Sequence, residues 1–228
     1  MASTAVLLFV SSCVTAVIHA LIPDHWLPFA LMARSQRWSD RRTAGMVGVT
    51  GLLHVAVSLL VGLPVMAFAS TSARGLAQKA GHSLEFVAGT LLVAFGLLYG
   101  LWAHRREARA HAAAERQKSG GRVHVHGHLL ERWFRGAVSG VGLVAIVGIS
   151  PCVLLQPILF AASAQGRAVI AAAALGFAAC TIGTMVGVTL FATRGMRRLD
   201  LPFFTRYGDL VSGVLIAGIG VLVMVQET

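Results

Sequence analysis

Six long apolar stretches leave this chain almost no polar surface, and they constrain its fold more than any motif does. They run roughly over Thr4–Ala33, Thr43–Ala69, Leu84–Ala103, Gly136–Ala164, Ala168–Thr193 and Tyr207–Val225. Each nears or exceeds the ~20 residues a helix needs to cross the hydrocarbon core of a bilayer. Only 12% of the 228 residues are charged and 56% are hydrophobic, against roughly 25% charged in soluble domains. Gly and Ala are abundant within the stretches, as suits close helix packing in lipid. The predicted fold class is all-α: a polytopic membrane protein of six transmembrane helices, with the lipid bilayer as its main partner and no attached soluble domain.

The net charge of +10 follows from topology. Arg34, Arg37, Arg41 and Arg42 lie between the first two stretches, and Arg194, Arg197, Arg198 and Arg206 between the last two. The segment between the third and fourth stretches is also rich in Lys and Arg. The opposite side receives only Arg74, Lys79 and Arg167. Basic loops stay in the cytoplasm. The first, third and fifth loops are therefore expected inside and both termini outside, in a cytoplasmic (inner) membrane. No nucleic-acid partner is needed to explain the charge. No Lys or Arg precedes Arg34, so the first stretch lacks the basic region of a cleavable signal. Cys13, Cys152 and Cys180 sit apart in apolar stretches, which argues against a disulfide framework. No G-x4-G-K-[ST] phosphate loop occurs, so ATP is not expected to be used, and the chain reads as a non-enzyme.

The two halves resemble each other. Glu85-Phe86-Val87-Ala88-Gly89 opens the third stretch and Asp209-Leu210-Val211-Ser212-Gly213 opens the sixth. A second glycine follows seven residues later in each, at Gly96 and Gly220. Pro23 pairs with Pro151, and His54 and Ser58 pair with Cys180 and Thr184. A repeat of three spans must re-enter the membrane in the opposite orientation. The predicted organisation is thus a first three-helix repeat over 1–103, a cytoplasmic His/Arg-rich loop over 104–135, and a second, inverted three-helix repeat over 136–228. Inverted repeats are a signature of transporters, whose sites lie near the midplane where broken helices meet.

The most informative motif is His19-Ala20-Leu21-Ile22-Pro23-Asp24-His25. An Asp at the centre of a spanning helix costs ~3 kcal/mol on insertion scales, so three ionisable residues this close together need a compensating role. Pro23 has no N–H and opposes a straight helix. On a straight helix His19, Asp24 and His25 would diverge, at ~100° per residue. A broken first helix, with Pro28 reinforcing the break, lets them converge. Two imidazoles and a carboxylate suit a borderline divalent cation, since imidazole favours zinc, copper, iron and nickel.

His-x4-Asp-His in the first span resembles the signature of the nickel/cobalt transporter family (NicO/NiCoT). The form His-Ala-x-x-Pro-Asp-His is most similar to its short six-span branch, which includes permeases described as urease accessory membrane proteins, within the lysine-exporter superfamily. Arg34 matches a basic residue after the family motif, and Leu175-Gly176-Phe177 with Thr181 resembles part of a second one. The resemblance implies that His19, Asp24 and His25 bind the metal and that His54 completes the site from the second span. The sequence departs from the larger family at Ala178, Ala179 and Ile182, where acidic residues belong to the second motif, and at Ile22, where longer members carry another Asp.

Further candidates surround this motif. Cys152, in Ser150-Pro151-Cys152, falls opposite Asp24 in the repeat, so a soft sulfur is a lower-ranked candidate ligand; Gln156 lies nearby. Glu85 and Asp209 are candidate gating or proton-coupling groups, or caps where a helix N-terminus favours negative charge. His124, His126 and His128 form a candidate loop metal site, since alternating His binds divalent metal weakly.

The function these readings imply is secondary transport of a divalent transition-metal ion, nickel or cobalt foremost. No cofactor is held permanently; the ion is substrate. A cytoplasmic metal acceptor and a homo-oligomeric state are compatible with it. Inward movement of two charges gains roughly 4.6 kcal/mol per 100 mV, at ~2.3 per charge, which favours uptake slightly over efflux. Binding to neutral imidazoles should weaken as pH falls through about 6.5. Two alternatives remain. One is a membrane thiol–disulfide electron carrier, because Ser-Pro-Cys-Val-Leu resembles half of such a motif. The other is a lysine-exporter-type permease for another solute.

Overall fold

A computed structural model describes residues 2–68, 79, 83–102, 104–105, 139–152, 154–198 and 202–226. Among the described residues the chain is all-helical, with no strand. In chain order the helices are α1 (Ala2–Ala20), α2 (Pro23–Ser35), α3 (Asp40–Phe68), α4 (Ser83–Trp102), α5 (Ser139–Ile149), α6 (Leu155–Ser163), α7 (Arg167–Arg198) and α8 (Pro202–Gln226). Five of these, α1, α3, α4, α7 and α8, contain stretches long and apolar enough to cross a membrane. Their outward faces carry large apolar side chains: Leu60, Leu175 and Phe191 are 72%, 71% and 82% exposed. Such faces are stable against lipid, and they mark a membrane-embedded protein.

Among the described residues two helix breaks occur, each at a proline. α1 ends at Ala20 because Pro23 has no N–H to offer the carbonyl of His19. The chain closes instead with tighter i→i−3 bonds, from Leu21 N–H to the Ile18 carbonyl (3.3 Å) and from Ile22 N–H to the His19 carbonyl (3.1 Å). Ile22 is extended, at φ −63° and ψ 132°, as the residue before proline tends to be. Pro23 then starts α2 at a position where a missing N–H costs nothing. The second break separates α5 from α6 around Pro151.

α2 sits at the centre of the packing. Pro28 through Ala33 are all buried, and a run of six apolar residues, which covers every side of a helix, belongs inside. It packs against α3, α5, α7 and α8. Phe29, Met32 and Trp38 join Val47, Leu143, Met185 and Ile216 in one cluster. A second cluster, of Ala16, Val55, Cys152, Leu155, Leu159 and Phe177, lies around the other break. Between the spans, hydroxyls of Thr50, Thr189, Thr193 and Ser212 bond the carbonyl four residues back, which satisfies them without a partner helix.

α2 ends in a tight cap. Trp38 N–H reaches the Ala33 carbonyl (2.9 Å) and Arg37 N–H the Arg34 carbonyl (3.2 Å), the paired bonds of a Schellman motif. Its left-handed position is filled by Arg37, at φ 52°. Ser39 Oγ then accepts from Arg42 N–H (3.2 Å) and caps α3. Beside this turn, Asp40 accepts bonds from Arg194 Nε (2.9 Å) and Arg197 Nη1 (2.8 Å), and Arg197 also donates to the Trp38 carbonyl. The start of α3 and the end of α7 are clamped together there.

α4 and α8 meet through glycines. A Cβ built on Gly96 would lie 2.5 Å from the backbone of Gly213 and Ala217, and one built on Gly220 would lie 2.6 Å from the Gly89 carbonyl oxygen. Gly96 therefore faces Gly213, and Gly89 faces Gly220, in an antiparallel crossing. At such a distance the neighbouring atoms are backbone and leave no room for a side chain.

Candidate metal centre

His19 occupies the last turn of α1, His25 the first turn of α2, and His54 the middle of α3. The break at Leu21 and Ile22 redirects the chain so that two residues of one sequence motif reach the same point from different helices. The ring centroids of His19 and His25 are 4.4 Å apart, those of His25 and His54 5.1 Å, and those of His19 and His54 5.7 Å. One nitrogen from each ring lies within 4.8 Å of the others. His25 and His54 are 5% and 1% exposed.

The imidazoles are poorly satisfied by the protein. Both ring nitrogens of His19 and both of His54 are buried and meet no partner at hydrogen-bond geometry. The backbone carbonyls of Val147 and Ser150 lie beside the His54 ring without completing such a bond. A buried polar group without a partner costs about 1–3 kcal/mol. Each neutral ring carries one N–H and one lone pair, so the two facing rings hold two lone pairs and two donors that the protein leaves unused. A divalent ion bound by imidazole needs about 2.0–2.1 Å from metal to nitrogen, so the rings would draw in on binding.

Asp24 stands apart from the three facing nitrogens. Its carboxylate accepts a hydrogen bond from His25 Nδ1, which leaves Nε2 of that ring as the atom free to bind. A carboxylate in this place fixes the ring's orientation. Of the four residues picked out in the first two spans, His19, His25 and His54 converge, and Asp24 is held one bond behind His25.

The remaining candidates are placed as follows. Cys152 is buried within the second break, in the apolar cluster with Ala16 and Phe177, and its backbone N–H is bonded to Ser58 Oγ (2.7 Å). The cysteines are free, and Cys13 is side by side with Cys180 where α1 meets α7. Glu85 is half-buried in the first turn of α4. Asp209 lies on α8 and accepts a 2.7 Å bond from Tyr99 Oη of α4, and Tyr99 Oη also lies 3.2 Å from Ser35 Oγ of α2. Tyr99 therefore ties three helices together. His124, His126 and His128 lie outside the described residues. Tyr99 was not singled out in the sequence; a lone Tyr in an otherwise apolar span, with no water to take its hydroxyl, was the available signal. Gln156 Nε2 and Thr181 Oγ1 are also buried without a partner.

Fold and site together define a helical membrane protein with a buried cluster of imidazoles at a helix break. The chain matches no family model, no curated protein and no solved structure.

Proposed function

We propose that this protein is a secondary transporter of a divalent transition-metal ion, with nickel or cobalt the favoured substrate and uptake favoured over efflux. The observation that carries this reading is the convergence of His19, His25 and His54, with buried ring nitrogens that the protein leaves unused. Imidazole nitrogens select borderline metals over magnesium or calcium, which prefer oxygen.

Depth supports the reading. His25 lies ten residues before the end of α2 and His54 fourteen after the start of α3. At 1.5 Å per residue these are about 15 and 21 Å, near the middle of a core of about 30 Å. A metal site at that depth is of use to a protein that passes the ion across. The span-one motif, which resembles that of the nickel/cobalt transporters, points the same way.

The proposed architecture is six spans in two inverted three-helix repeats, with α1–α2 and α5–α6 each forming one broken span. The glycine crossing supports it. If Gly89 corresponds to Gly213 and Gly96 to Gly220, exchanging the halves turns the Gly89–Gly220 contact into the Gly96–Gly213 contact. A two-fold relation between the halves requires that property. In the proposed cycle the ion sheds water, binds the three imidazoles, and is released on the other side when the halves rock about that crossing. Basic loop ends then face the cytoplasm.

Flux into proteoliposomes tests this. Nickel, cobalt, zinc and manganese are offered to the unmodified protein and to His19→Ala and His54→Ala. Transport of nickel or cobalt that is lost in both variants is expected. If the unmodified protein moves none of the four metals, the assignment fails. Replacing Cys13, Cys152 and Cys180 together by Ser separates the electron-carrier alternative, because metal flux survives that change only if the thiols are not the working groups. A permease for another solute would keep moving it after His19→Ala.

A further inference from the structure

The break in the second half of the chain adjoins the imidazole cluster. Pro151 has no N–H, so the carbonyl of Val147, four residues earlier, loses its helical donor. That carbonyl and the one of Ser150 lie beside the His54 ring. The next amide, of Cys152, leaves the helical pattern and donates to Ser58 Oγ at 2.7 Å. The hydroxyl of Ser58 in turn donates to the His54 carbonyl at 2.7 Å. Ser58 is 2% exposed, so neither bond is exchanged for water. Gly148 permits the close approach: a Cβ built there would lie 2.6 Å from Leu53 Cδ2 and 3.0 Å from Leu53 Cβ. The end of α5 is thus pressed against the turn of α3 that carries His54.

We infer that the Pro151 break and Ser58 form a positioning device for His54, in which Ser58 holds a freed carbonyl at the end of α5 beside the ring, where its dipole favours the tautomer with the N–H on that side and leaves the other nitrogen for the ion. The logic is that of a metal-bound imidazole whose second nitrogen is held by a carbonyl, here supplied by a helix end. The negative end of the α5 dipole points the same way and favours a cation. Ser58 does not touch the ion. It locks the register between the break and the His54 turn, so that binding in the first half of the chain depends on the backbone of the second. This inference rests on the proposed metal reading, and the two can fail separately.

Two measurements on the full-length protein in detergent test it. In the first, cobalt(II) is titrated and its visible absorption followed. Ser58→Ala is expected to weaken cobalt binding by about 10–100-fold, the usual effect of losing an outer-sphere partner, and to alter the spectrum. Ser58→Thr, whose hydroxyl can make the same two bonds, is expected to restore both. In the second, 15N-histidine spectra are recorded without metal, with the His54 signal identified by its absence in His54→Gln. The unmodified protein is expected to hold His54 in one tautomer, and Ser58→Ala and Pro151→Ala to mix the two. Unchanged cobalt affinity and an unchanged tautomer in Ser58→Ala would overturn the inference and leave the metal reading intact. A single tautomer lost in Ser58→Ala, in a protein that binds no cobalt, would keep the positioning role and refute the metal reading.

Discussion

Asp24 stands behind His25, its carboxylate bonded to Nδ1 of that ring, and this contact sets it apart from the three facing imidazoles of the proposed site. His25 offers a ring nitrogen within 4.8 Å of one from His19 and one from His54. In the proposed site the carboxylate would act on the ion through the ring.

A graded response follows. Asp24→Asn keeps a polar group of the same shape but removes the negative charge. Metal affinity should fall by about 10–100-fold with stoichiometry unchanged. His25→Ala removes a ligand and should abolish tight binding altogether. Titration calorimetry on the purified protein distinguishes the two; equal losses in both variants would make Asp24 a ligand in its own right.

The glycine crossing makes a prediction about stability. Gly96→Ala and Gly213→Ala place a methyl against backbone atoms of the opposing helix, which cannot move aside as a side chain can. Each should destabilise by about 1–3 kcal/mol, as overpacking does. Gly218, in the same helix, has nothing within 4 Å of a built Cβ. Gly218→Ala should be neutral or stabilise by roughly 0.5–1 kcal/mol. Thermal unfolding in detergent, compared across the three variants, reads the difference.

Tyr99 joins α4 to α8 and α2 through Asp209 and Ser35. Tyr99→Phe keeps the ring and deletes the hydroxyl, and with it the bond to Asp209. A hydrogen bond to a charged group is worth about 1.5–3 kcal/mol, so a loss of that order is expected in unfolding. If Asp209 also gates the path, transport should change by more than the lost stability accounts for. Flux measured at a temperature where the variant remains folded separates the two.

The cap after α2 holds Arg37 in a left-handed conformation that costs a side-chain-bearing residue roughly 1–2 kcal/mol. Arg37→Gly removes that strain but adds freedom to the unfolded chain. A net change between zero and about 1 kcal/mol in favour of folding is expected. Arg37→Val, branched at Cβ, should destabilise.

Much of the protein was legible before its structure. The apolar stretches announce helices in lipid, because backbone groups there must bond within their own segment. Pro23 announces a break because it has no N–H, and the ends of α1 and α2 fall on either side of it. Pro151 repeats the signal in the second half. The spacing of glycines in the two halves was visible too. That Gly89 meets Gly220, and Gly96 meets Gly213, was not, since spacing along one helix says nothing about which helix it faces.

By itself the sequence determined where helices form, where two of them break, and which residues have nitrogen or oxygen to offer a metal. These follow from local chemistry: apolar length, missing amide hydrogens and side-chain type. Only the tertiary structure decided that His54 of α3 joins His19 and His25 while Asp24 turns to brace one of them. It also decided that Ser58 ties the second break to the first half. Those outcomes depend on how far each helix rotates and how closely it approaches its neighbours. Packing across the whole bundle sets both quantities, and no local stretch of chain contains them.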